Sequence, residues 1–366
     1  MSNSTNLALP FLTLGQAQKH VTVNESLLRL DAVVQLAVVS ATTSAQPGAP
    51  AEGQVYILPP GKTGADWGAM ANYALAYYRD GVWEQINARE GFLAFVKDSD
   101  LLQYYSGSAW INAGRERLSA NRTYYVRTDG NDANTGLANT AGGALLTIQK
   151  AVDVACALDA GTFDVTVQVG SGTYTGAVVL KACVGSGVFK LTGNTTTPAN
   201  VVISTTSADA VSTGPGARWS IEGFKLQTTT SGYGVQVAYG VVTISGKMEF
   251  GACASHHLLV SNARLDINAD YTINGAAQQH VRVLAAGYAR SVGRTVTLSG
   301  TLAFTTFASA ARGGVFEASS SSYSGGTITG KRYDVTLNGL IDTGGGGANY
   351  FPGNSAGATA TQGLYN

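Results

Sequence analysis

Charge is scarce in this sequence. Lysine, arginine, aspartate and glutamate make up 13% of its 366 residues, against roughly 25% in ordinary soluble domains. The 23 basic and 23 acidic residues cancel, and no Lys/Arg stripe is present of the kind that neutralises a phosphate backbone. Nucleic acid is therefore not expected as a partner. Long apolar runs are lacking too: the longest, around Ala32 to Ala41, is broken by Gln35 and falls well short of the ~20 residues that span a bilayer. Membrane insertion is not expected. The opening "MSNSTNLALPF" has no basic stretch followed by an apolar core, so no secretory leader is read and synthesis in the cytoplasm is expected. Cysteine is rare. Cys156, Cys183 and Cys253 lie far apart at no metal-ligand spacing and read as small buried hydrophobes; no metal and no cofactor is expected.

Glycine, serine, threonine, alanine and valine fill the gap, a composition suited to stacked strands and tight turns. The chain is too long for one ordinary compact core, which leaves two domains or an elongated domain with a head.

Residues 15 to 39 read as one long helix. Leu27, Leu30, Val34 and Ala37 share a face, Glu25 and Arg29 form an i,i+4 pair, and Pro47 and Pro50 end helical structure. From Gln54 to Gly114 short strands and turns follow. "YYRDGVW" (Tyr77 to Trp83) recurs as "YYSGSAW" (Tyr104 to Trp110), 27 residues on, which predicts two similar hairpins whose aromatics fill a small core. The charged "GRERLSANR" reads as a linker. The expected division is an N-terminal domain over 1–114, a linker over 115–122, a β-helix over 123–343 and a Gly-rich tail over 344–366.

Beyond the linker one strand pattern recurs: "FKLTG" (Phe189 to Gly193), "WSIEG" (Trp219 to Gly223), "VTISG" (Val242 to Gly246), "LDINA" (Leu265 to Ala269), "VTLSG" (Val296 to Gly300) and "VTLNG" (Val335 to Gly339). Successive copies start 30, 23, 23, 31 and 39 residues apart. Alternate apolar positions mark one buried face and the small residue marks a bend. Equal rungs separated by loops of unequal length are the signature of a parallel β-helix, in which each coil buries its apolar face on the next. A β-sandwich, with strands every 8 to 12 residues or so, ranks second. "LLTIQKAVDVACAL" (Leu145 to Leu158) is an amphipathic helix suited to capping the open end of the stack. The loop containing Asp129, Asn131 and Ala133 fails the calcium-loop alternation, so no metal site is assigned there.

Two parts resemble known families. "LPFLTLGQAQKHVTVNESLLRLDAVVQLAV" with "PAEGQVYIL" and "REGFLAFV" resembles an uncharacterised N-terminal domain of fibre and spike proteins from tailed phages and alphaproteobacterial gene transfer agents. "YYVRTDGNDANTG" with "TIQKAVD" resembles the opening of the pectate-lyase-like β-helices of phage tailspikes, and "GLIDTGGGGANYFPGN" a fibre C-terminus. The resemblance implies a mainly β chain: a right-handed parallel β-helix preceded by a small α+β N-terminal domain with one long helix. It further implies a virion appendage, a tail fibre or head spike. Such an appendage is usually a homotrimer, held to other virion proteins by the N-terminal domain and meeting host capsular polysaccharide with the β-helix. Gln16, Gln18, Lys19 and His20 would then make polar contacts in a trimeric head or with the particle, and the apolar half of the helix would pack within that head.

Many such β-helices cut polysaccharide, which requires two carboxyl groups about 5 to 5.5 Å or about 6.5 to 9.5 Å apart. Aligning the copies gives two outward columns, Thr192, Glu222, Ser245, Asn268, Ser299, Asn338 and Lys190, Ser220, Thr243, Asp266, Thr297, Thr336. Neither holds two carboxylates, and both read as ladders that hydrogen-bond water or sugar hydroxyls. Lys247, Glu249 and Asp270 form the best charged constellation and are the candidate ligand-binding residues, with an ordinary cross-rung ion pair as the plain reading. His256 and His257 beside Ser255 lack an activated nucleophile with a third member, and His280 reads as structural. No catalytic residue is assigned. Adhesion to a surface glycan is preferred, with a polysaccharide hydrolase or lyase as the alternative and a cellular adhesin third.

Overall fold

The computed structural model describes residues 3–12 and 19–366. The chain divides into two compact units, Met1–Glu116 and Arg117–Asn366.

In the first unit the helix runs over Lys19–Val33 and stops short of the expected residue 39. Gln35 takes a left-handed conformation, φ 51°, which closes the last turn. Ala37–Val38 then pairs in parallel with Leu93–Val96. The expected apolar face is not the buried one: Leu30 and Val34 are exposed, while Asp31 and Ala32 are buried. Asp31 accepts hydrogen bonds from Ser4 Oγ (2.5 Å), Leu7 N (2.6 Å) and Asn6 N (2.9 Å), pinning the N-terminal turn to the helix. Glu25 pairs with the buried Arg79 at 2.6 Å rather than with Arg29.

Both hairpins form. Leu75–Arg79 pairs with Val82–Ile86 around the two-residue Asp80-Gly81 turn, in which both residues have positive φ, and Leu101–Tyr105 pairs with Trp110–Asn112 around a four-residue loop. The repeated sequence gives repeated contacts, Tyr78 against Trp83 at 5.0 Å and Tyr105 against Trp110 at 5.5 Å. Trp67, Trp83 and Tyr56 close a small core.

The second unit is a β-solenoid of about eight coils. A ten-stranded, wholly parallel sheet runs Arg122–Val126, Val165–Val169, Phe189–Thr192, Ala217–Glu222, Gly240–Ile244, Arg264–Ile267, Tyr288–Arg290, Val315–Glu317, Leu340–Asp342 and Leu364–Tyr365. Two further ladders begin at Gly172–Tyr174 and Val178–Leu180 and fuse when Thr295–Ala311, 17 residues long, carries both. That strand turns the corner by two irregularities against Ser322–Thr336, between Leu298 and Thr301 and between Ala303 and Thr306. Residues buried on every ladder, from Val165 to Ile341, make one continuous core.

The first four repeat copies stack as expected, with Leu191, Ile221, Ile244 and Ile267 in register. The last two do not belong to that sheet. Val296 pairs with Tyr271, and Val335 with Ala310, on the other ladders. Residues 117–122, read as linker, join the solenoid: Leu118 is buried and its N–H bonds to Asp159 O at 2.9 Å. The expected tail adds rungs, Ala358–Thr359 on Asp334 and Val335, and Leu364–Tyr365 on Leu340 and Ile341.

The helix Ile148–Cys156, N-capped by Thr147, buries Ile148, Ala151, Val152 and Ala155 against the first strands. Asp132 fixes its entry by accepting from Leu146 N, Thr147 N and Thr147 Oγ1. Cysteine corrects the sequence expectation: Cys156 and Cys183, 27 residues apart, form a disulfide that ties this helix to the second coil. Cys253 alone stays a buried free thiol, its pKa pushed up to about 12 by burial. Cross-linking a loop of that length stabilises by about 3.5 kcal/mol in the chain-entropy account. Cys183→Ser is accordingly expected to lower the unfolding free energy by about 3 kcal/mol, and wild type in reductant to match it, in urea titrations followed by circular dichroism.

Candidate functional site

The outward side chains of the ten-stranded sheet stand in columns because parallel rungs repeat at about 4.8 Å. One column runs Thr166, Lys190, Ser220, Thr243, Asp266, Arg290, Glu317, Asp342, each paired with the next. The sequence alignment had placed Thr297 and Thr336 after Asp266. The true successors bring two more carboxylates and an arginine into a column expected to hold one acid.

The early part of the column is a hydroxyl network. Ser220 Oγ donates to Ser245 Oγ at 2.7 Å, Ser245 Oγ to Glu222 at 2.9 Å and Thr192 Oγ1 to Glu222 at 3.3 Å, with Lys190 Nζ 3.7 Å from the same carboxylate. A cleft of about 330 Å³ lies beside it, between the Cys183–Val188 loop and Trp219, Ser220 and Thr243, with exposed Arg218 on its wall.

The later part is charged and aromatic. Arg264 grips Asp266 through two bonds, 2.7 and 2.9 Å, and its guanidinium lies 4.9 Å from the Tyr288 ring centroid. The Tyr288 hydroxyl donates to Glu317, whose Oε2 is also 3.4 Å from Arg290 Nε. Burial, and then that hydrogen bond, raise the Tyr288 pKa, so the hydroxyl stays protonated as a donor. Asp342, one rung on, accepts from Gly344 N at 2.8 Å.

Chemically this surface is a ladder of donors and acceptors with one aromatic ring. Glu317 and Asp342 stand on neighbouring rungs, and a glycosidase needs two such acids a few ångströms apart. The Glu317 carboxylate, however, is already engaged by the Tyr288 hydroxyl and by Arg290. Such an array of donors and acceptors can hydrogen-bond the hydroxyls of a polyhydroxylated chain.

Lys247, Glu249 and Asp270 are not united. Glu249 pairs with Lys225, one coil earlier, at 3.0 Å and accepts from Asn274. Asp270 is exposed and accepts from Thr295 N at 2.8 Å. Lys247 is exposed, and its carbonyl accepts from Gly223 N. A cross-rung ion pair does form at Glu249, but with Lys225 and not within the trio. Among the described residues no group of three or more His, Cys, Asp or Glu could hold a metal ion, and no helix is long and apolar enough to cross a membrane.

His256, His257 and His280 are buried. His257 Nε2 lies 2.9 Å from Gly251 O, His257 Nδ1 3.1 Å from His280 Nδ1, and His280 Nε2 2.9 Å from Tyr271 Oη. Because a carbonyl only accepts, one assignment satisfies every member. Tyr271 O–H donates to His280 Nε2, His280 Nδ1–H to His257 Nδ1, and His257 Nε2–H to Gly251 O. Burial holds His257 down to about 3 and His280 well below the usual imidazole value.

Gln16 and Gln18, and the side chains of Lys19 and His20, lie outside the described residues.

Residues 23–111 match a family described as protein of unknown function (DUF2793). No curated protein and no solved structure matches the chain.

Proposed function

We propose that this chain is a structural protein of a virion or gene transfer agent, a tail fibre or head spike, that attaches the particle to host capsular polysaccharide. In this reading the N-terminal domain joins other virion proteins, the chain works as a homotrimer, and the solenoid meets the glycan. The observation that carries the glycan contact is the outward column from Thr166 to Asp342 with Tyr288 beside it: a rigid, evenly spaced polar ladder suited to a repeating polymer. The resemblance of the "GQAQKH" segment to fibre and spike proteins, together with a β-solenoid fold compatible with such proteins, supports the appendage reading. Weak single sites suffice when three engage together, since linked sites raise avidity by about 10² to 10⁴.

A second reading, a polysaccharide depolymerase, draws on one observation, the neighbouring Glu317 and Asp342. The test is to incubate purified protein with capsular polysaccharide and follow both retention and polymer length. Retention with unchanged length is expected. Arg290→Ala and Tyr288→Ala should each weaken single-site binding about tenfold, roughly 1.4 kcal/mol. Progressive shortening, abolished by Glu317→Gln or Asp342→Asn, would instead establish the depolymerase. Retention that ignores both substitutions would remove the column from the binding site.

A further inference from the structure

The four-stranded sheet of the N-terminal unit is apolar on both faces. On one face Ala94 and Val96 pack with Ala32, Val38, Leu75 and Tyr77 in the core. On the other, Leu93 is paired with Tyr104, Phe95 with Leu102 and Tyr104 with Ile111, so these five side chains adjoin. Each is between 38% and 56% exposed. The run "FLAFV" (Phe92 to Val96) is the pattern of a strand covered on both sides, and among the described residues only one cover is present.

The size of the patch and its lack of charge indicate the occupant. Five such side chains at that exposure present on the order of 400 Å². One partner of a standard stable interface contributes about 800 Å², of which roughly 57% is apolar, or about 450 Å². The patch nearly matches that share. It holds no charged residue, as befits the more apolar interfaces between permanently associated subunits.

We propose that this sheet face packs against the same domain of a second copy of the chain. The proposal deepens the appendage reading and rests on it only in taking the chain to be an oligomer; it is independent of what the solenoid binds.

Light scattering and sedimentation of the full chain, from about 1 to 100 μM, test it. Wild type is expected to have the mass of several copies. Phe95→Glu and Leu102→Glu should associate at least roughly 100-fold more weakly, because each buries an unpaired charge, with unchanged circular dichroism and melting. Phe95→Leu, which keeps the face apolar, should associate like wild type. A spin label on Ile111→Cys, an exposed position, reads the contact without a charge and should show strong coupling between copies. A single-chain mass for wild type throughout would overturn the proposal in favour of a different protein as occupant. So would glutamate variants that fold and keep the wild-type mass, or labels uncoupled in a multi-copy particle. Failure of the glycan reading looks different: neither wild type nor the single-chain variants would retain polysaccharide, whatever their mass.

Discussion

Acidification from pH 7 to pH 4.5 is expected to cost the solenoid about 5 kcal/mol through His257 and His280 alone. Both imidazoles lie in the core among Phe250, Tyr271, Phe304 and Phe307. Burial is the first cause of both lowered pKa values; at His257 the hydrogen bond to the Gly251 carbonyl opposes it and His256 lowers the value further, and at His280 the charge of His257 adds to the lowering. The unfolded chain takes up protons near the ordinary value of 6.5 while the folded chain does not, so the unfolded state binds more protons in acid. Stability is therefore complete above about pH 6.5 and falls as the pH drops toward the folded value of about 3 for His257. Each histidine accounts for about half of that loss at pH 4.5. The hydrogen-bond chain adds a structural limit. One extra proton can be accommodated if His280 reverses and donates to Tyr271, but a second would set two N–H groups face to face across the 3.1 Å gap. Urea midpoints at pH 7, 6, 5 and 4.5 should fall steeply, and the slope should flatten in a His257→Leu, His280→Leu, Tyr271→Phe variant, which removes the chain of donors as a unit. His280→Leu alone should cost about 2 to 3 kcal/mol already at pH 7, since it strands Tyr271 Oη and His257 Nδ1. A midpoint independent of pH would mean that the imidazoles are not held neutral in the core.

Gly330→Ala is expected to be the most damaging single methyl in the solenoid corner, at about 3 kcal/mol or more. Gly330 stands opposite Phe304 and Thr305, where the fused strand has two residues against one, the arrangement of a β-bulge. Its φ is +115°, and an added Cβ would lie 1.7 Å from Phe304 O. The backbone around it is also committed: its N–H donates to Asn354 Oδ1 at 2.8 Å and its carbonyl accepts from Asn354 N and Ser355 N. Gly300 is the control. It too has positive φ, +84°, but a Cβ there meets nothing within 4 Å, so Gly300→Ala should cost only about 1 kcal/mol. Thermal melts of the two variants separate steric exclusion from backbone conformation; equal losses would show that the corner yields to the methyl.

What the sequence carried was the period of the strands, not their phase around the coil. Alternation of apolar and polar residues marks a strand with one face inward, and it identified Phe189 to Ala269 correctly because those strands, four to six residues long, are long enough to show it. The motif at Val296 and Val335 satisfies the same alternation on a different ladder, since every ladder of a solenoid faces the same core. The true rungs there, Tyr288–Arg290, Val315–Glu317 and Leu340–Asp342, are three residues each, too short to show a period. Arg290, Glu317 and Asp342 were hidden for that reason, and Lys225 was missed as the partner of Glu249 although it precedes it by about one coil. The disulfide was illegible on similar grounds: a separation of 27 residues suits one coil, but nothing local says that a helix and a loop end at the same corner. The helix end at Gln35 reflects tertiary demand, because Ala37–Val38 is needed as a strand beside Leu93–Val96.

The parallel rungs also give the solenoid a mechanical direction. Backbone hydrogen bonds between successive coils point along the stacking axis, so a pull along that axis loads the interfaces in series and the thinnest yields first. The last one is held by two residue pairs on each of two ladders, Leu340 and Ile341 with Leu364 and Tyr365, and Asp334 and Val335 with Ala358 and Thr359, and by the single bridge of Lys331 with Ser355. At the opposite end a covalent bond ties Cys156 to Cys183. Tension applied along the stack would peel this unit from its C-terminal end, one rung at a time, while the disulfide-bonded end stayed closed.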